Sequence, residues 1–108
     1  MLAAHIATGE RLIGMSMMVG DHQDFHVWRT HRTAWASETR TALATHRGDA
    51  PARTFERVAS EAPAAGMLAE DLPLELQRVR EALDILRSLD AQPHQGQDAF
   101  VAQSRGRL

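Results

Sequence analysis

His22, Asp24, His26 and His31 crowd together in the stretch DHQDFHVWRTH, and imidazole with carboxylate is a donor set that zinc accepts. On a helix, His22 and His26 share a face at the i, i+4 spacing, whereas His31, five positions further on, turns away. The chain has no H-E-x-x-H and no cysteine, and no third ligand stands in register, so these read as surface histidines and no metal is expected. The neighbouring arginines Arg29, Arg32 and Arg40 alternate with Trp28 and Trp35, an arrangement that stacks bases if the rings are exposed and builds a core if they are not. The core reading is preferred. Ser16, Ser37, Ser60, Ser88 and Ser104 lie outside any Gly-x-Ser-x-Gly elbow, and the glycines are scattered singly rather than gathered into a phosphate loop. The acid pair Glu70 and Asp71, followed by Pro73, suits helix capping better than acid–base work. No catalytic residue and no cofactor follows from these patterns.

The elements that would position such residues are helices. Gly20, Gly48, Pro51, Pro63, Gly66, Pro73, Pro93 and Gly96 divide the chain into pieces, none with the period-2 alternation of a strand. The fold class expected is all-α: a small bundle of three to four helices around a long central helix that carries both tryptophans. The first piece, about residues 3 to 18, places Ile6, Ile13 and Met17 on one stripe, widened by Leu12, Met15 and Met18, with its second half expected to be well buried. Asp21 is the candidate N-cap of the long helix, which runs to His46 before Gly48 stops it, roughly 40 Å at 1.5 Å per residue. Its inward seam is read as Phe25, Trp28, Arg32, Trp35, Thr39, Ala42 and His46, with Leu43 beside it. A short helix follows, capped by Asp49, with Phe55, Val58, Ala59 and Ala62 on one side and an end near Pro63. The last helix starts from Asp71 with Pro73 in its first turn and a seam of Leu72, Leu76, Val79, Leu83, Leu86 and Asp90. Phe25, Trp28, Trp35, Leu43 and Phe55 are the expected core or interaction anchors.

A chain of 108 residues fits one domain, here residues 1–90, with 91–108 read as a flexible tail around the apolar pair Phe100 and Val101. Without cysteine it suits a reducing cytoplasm, and no signal peptide or membrane span is read. The formal charge of −2 lacks the basic footprint of a non-specific nucleic-acid binder. Every basic residue is Arg, and Lys, Asn and Tyr are absent, a usage that looks like a GC-rich bacterial or phage genome.

Two resemblances stand beside this reading. Arg40 and His46 in RTALATH, near the end of a long helix, resemble the Arg and His pair of bacterial HEPN ribonucleases, although Thr41 follows the Arg where those enzymes commonly carry Asn, Asp or His. That resemblance implies RNA cleavage, with both side chains lining an open groove at a dimer interface. Over residues 9 to 89, the order GERLIGM, DFHVWRTHRTAWASETRTALATHRGD, TFERVAS and ELQRVREALDILRSL resembles a helical segment at the amino terminus of bacterial TIR-like and related defence or signalling proteins. Arg47 replaces the phenylalanine usual before that turn. The residues that carry this second likeness are packing and turn residues, so it implies a shared helical fold and no catalytic residue. The leading expectation is a small non-enzymatic protein–protein interaction or assembly module in a defence, phage or mobile-element setting, bound to a protein partner or to itself. A HEPN-like ribonuclease using Arg40 and His46, and a nucleic-acid-binding helical protein, are the alternatives.

Overall fold

The computed structural model describes residues 2–60 and 66–92. Among them are four helices, α1 (Leu2–Ser16), α2 (His22–His46), α3 (Asp49–Ala59) and α4 (Leu68–Ala91), and no strand. They form a small all-α bundle in which α2, the tryptophan-bearing helix, packs against each of the other three. Of the segment read as a flexible tail, residues 91–108, Ala91 ends α4 and Gln92 follows as its cap residue; residues 93–108 lie outside the described residues, as do Ala62 and Pro63 at the expected end of α3.

Local chemistry at both ends sets the limits of α2. The Asp24 N–H donates to Asp21 Oδ1 at 2.7 Å, and the Gly20 N–H donates to Asp24 Oδ2 at 3.0 Å, a reciprocal cap that occupies donors the first turn leaves free. At the far end the Arg47 and Gly48 N–H groups both donate to the Leu43 carbonyl, at 2.7 and 3.0 Å. Gly48 has φ +97°, a backbone region that side chains disfavour, and so lets the chain reverse directly into α3. Gly48, not Asp49, is the cap position of α3; Asp49 sits in the first turn, where its charge faces the helix N-terminus.

The buried seam of α2 is Phe25, Trp28, Arg32, Trp35, Thr39 and Leu43. Ala42 is half-buried, and His46, expected to point inward, is exposed. A straight helix drifts about 20° per heptad against a strict seven-residue repeat, so after two heptads the inward position has moved from 42 to 43 and 46 has turned out.

The inward face of α1 also differs from expectation. Leu2, Gly9, Leu12 and Ser16 are buried, Ile6 and Ile13 are half-buried, and Met15, Met17 and Met18 face solvent. The indoles of α2 select this face. Trp28 Nε1 donates to the Leu12 carbonyl at 2.7 Å and Trp35 Nε1 to the His5 carbonyl at 2.8 Å, seven residues apart on both antiparallel helices. Rings held this close to the α1 backbone need a small residue beneath them. A Cβ on Gly9 would lie 2.6 Å from Leu83 Cδ2 and 2.7 Å from Trp35 Cζ2, so Gly9 is where three helices meet.

Helix α4 begins at Leu68 with Met67 as its cap residue, earlier than expected. Asp71 is therefore inside the first turn instead of capping it, and Pro73 falls in the second turn, where it removes one i→i−4 bond. The buried residues of α4 are Asp71, Glu75, Val79, Ala82, Leu83 and Leu86, while Leu72 and Leu76 are half-buried and Asp90 is exposed. The first half of α4 is thus rotated to bring carboxylates inward. The reason is Arg32: a guanidinium 2 % exposed needs a counter-charge, and Glu75, equally buried, supplies it.

Candidate functional site

Arg40 is half-exposed and forms an ion pair with Glu56 across the α2–α3 contact. It lines a concavity of about 410 Å³ with Arg32, Thr33, Ala36, Ser37, Glu56, Ala59 and Ser60. His46 is not part of that lining: six positions along an α-helix place it roughly 120° around the axis from Arg40. The two residues are thus on different sides of α2, and the arginine's charge is already met by a carboxylate.

His22, Asp24, His26 and His31 are all exposed, and the described residues hold no group of three His, Asp or Glu that could bind a metal ion. Trp28 and Trp35 are buried, with their faces engaged inside the bundle. Phe25 stacks on Trp28 with centroids 6.1 Å apart at 15°, and Phe55 meets Trp35 edge-on at 5.6 Å and 74°. Of the alternating arginines, Arg29 and Arg32 are drawn to Glu75, at 3.3 and 3.6 Å from Nε to Oε2, and Arg29 also lies over the Phe25 ring at 5.7 Å. All five expected anchors, Phe25, Trp28, Trp35, Leu43 and Phe55, lie in the hydrophobic core.

The charged layer is a second candidate, built on Glu75, which is 2 % exposed and was not among the expected inward residues of the last helix. Arg32 Nη2 donates to the Ser60 carbonyl at 2.9 Å, and the Gly66 N–H donates to Asp71 Oδ2 at 3.1 Å. The first bond ties the end of α3 onto α2, and the second closes the entry to α4 on its own first turn. Burying both charges exacts a desolvation penalty that their attraction roughly offsets, so what the layer fixes is register, since a slipped α4 would leave Arg32 buried without its acid. The signal was present in the sequence. Arg32 was read as inward, and a buried arginine demands an inward acid on another helix.

The other concentration of unusual surface lies where α1 turns into α2. Met17 is 86 % and Met18 81 % exposed, Met15 and Val27 about half. Backbone bonds from Met17 N–H to Gly14 O, Met18 N–H to Met15 O and Val19 N–H to Ser16 O, each spanning three residues, wind the end of α1 tighter where Met17 and Met18 leave the helix. Met15, Met18, Val19, Asp24, Val27 and Trp28 line a concavity of about 260 Å³ there. A further exposed apolar residue, Leu74 on α4, lies in a different concavity whose lining includes Arg57, Gln77, Arg78 and Glu81, so its surroundings are polar; Ile85 is half-buried.

No described helix is long and apolar enough to cross a membrane. Comparison with protein-family models, with curated proteins and with solved structures finds no match to this chain.

Proposed function

We propose that this chain is a small helical interaction module that acts by binding a second protein surface, with no chemistry of its own, through the apolar end of the α1–α2 hairpin. The observation that carries this reading is the clustering of Met15, Met17, Met18 and Val27 around a concavity whose lining includes the core residue Trp28. Single exposed apolar side chains are ordinary, but a contiguous group beside a cleft is the usual mark of a contact surface. Methionine suits that role because its unbranched, polarisable side chain moulds to a partner at little strain. The remaining polar groups support the same reading. Arg29, Arg32 and Arg40 are each engaged by Glu75 or Glu56, and both indoles are committed to α1.

The test is photo-crosslinking in the producing cell with methionine replaced by its diazirine analogue. Discrete crosslinked species should form through positions 15, 17 or 18, and mass spectrometry of the linked peptides would place them. Crosslinks absent from those positions, or spread evenly over every methionine, would refute the reading.

A further inference from the structure

The partner of the methionine surface can be specified further, in an inference that rests on the function just proposed. We infer that its occupant is a second copy of this chain, related by a two-fold axis, with Met17 of each copy seated in the concavity of the other. Three observations lead there. The patch is complementary to itself in shape. Met17, 86 % exposed and not part of the concavity's lining, is a knob, and it stands one residue from Met18, which forms part of the hole. A two-fold contact brings one copy's knob to the other's hole twice over, which is the condition an isologous interface must meet.

The patch is also complementary to itself in charge. Arg11 lies on the α1 face of Met15 and Met18, one turn before Met15, whereas Asp21 and Asp24 mark the start of α2. Because α1 and α2 run antiparallel, a two-fold rotation about the level of Met15 carries Arg11 of one copy toward Asp21 and Asp24 of the other. A patch of a single sign would repel its own copy, and this one holds both signs at opposite ends. The net charge of −2 adds little repulsion between copies.

The third observation is area. Three methionines and a valine exposed to this degree leave on the order of 400 Å² of apolar surface, within the range of the largest patch on a monomer. Two such patches with their charged rims reach roughly 1,000 Å² in total, the lower bound for a specific interface. The pairing is therefore expected at the weak end of the range and to be concentration-dependent.

Sedimentation equilibrium of the full chain over micromolar to millimolar concentration tests this. The mass should rise from 12.0 kDa toward twice that value. Met17→Glu should hold the chain at the monomer mass while leaving its helical circular dichroism and melting midpoint unchanged, since the residue touches no core. Met17→Leu should restore the rise, and Leu74→Glu, on the other apolar surface, should not affect it. A wild-type chain that stays monomeric, or one whose association survives Met17→Glu and is lost with Leu74→Glu, overturns the inference. Monomeric wild type together with crosslinks from positions 15, 17 or 18 to a different protein would reject the second copy and keep the interaction function; monomeric wild type without crosslinks would reject both.

Discussion

Trp28 and Trp35 share a helix, a face and a hydrogen-bonding habit, yet they end in opposite settings. Each donates its indole N–H to an α1 carbonyl, and each is almost fully buried. Around Trp35 the structure is closed, with Phe55 of α3 edge-on to the ring and Gly9 of α1 and Leu83 of α4 in close approach. Around Trp28 it is more open, because Met15, Met18 and Val27 line a concavity with it and are 43, 81 and 51 % exposed among the described residues. The contrast separates two uses of one seam. At Trp35 three partner helices complete the core, and beside Trp28 an apolar cleft lies between α1 and α2.

The closed region should break hardest. Trp35→Ala removes a large ring from a site that cannot collapse around the loss and should cost about 3–5 kcal/mol in a urea melt. Trp28→Ala should cost less, because solvent or a rearranged methionine can fill the space from the open side; equal costs would erase the distinction between the regions. Glu75→Leu leaves Arg32 buried beside an apolar side chain and should cost about 3–5 kcal/mol, the range for breaking a buried pair. Adding Arg32→Met to that variant should recover part of the loss, and a strictly additive double variant would show that the charged layer is not coupled. Gly9→Ala forces a methyl group against Trp35 and Leu83, with an expected cost of about 1–3 kcal/mol by the same measurement. The smallest stability effect is expected for Met17→Glu, within about 0.5 kcal/mol of the parent.

The limits of α2 were legible because they follow from local rules: Asp21 before it, Gly48 after it, and the three-and-four spacing from Phe25 to Thr39 all lie within a few residues of what they control, whereas Asp49 and Asp71 sit inside the helices they were expected to cap. The α1 face was not legible. Periodicity favoured the stripe of isoleucine and methionine, whereas the fold chose Leu2, Gly9, Leu12 and Ser16, because the indoles bond to backbone carbonyls and need a glycine at their crossing point. That requirement comes from another helix and leaves no mark on α1's own hydrophobicity. The rotation of α4 toward Glu75 was legible in half, from the inward placement of Arg32, but the matching acid can be chosen only once the two helices are set side by side. The methionine surface follows from the α1 misreading, since Leu12, Ile6 and Ile13 of the expected stripe pack inward and its three methionines are left outside.

The central claim, that the Trp28 end of the bundle is a contact surface and the Trp35 end is finished core, is tested most directly by a dilution series on chain labelled with ¹³C at the methionine methyls. The methyl resonances of Met15, Met17 and Met18 should shift together as concentration rises and return on dilution. Methyl positions for those three that stay fixed from micromolar to millimolar, in a chain that remains folded, would contradict the account.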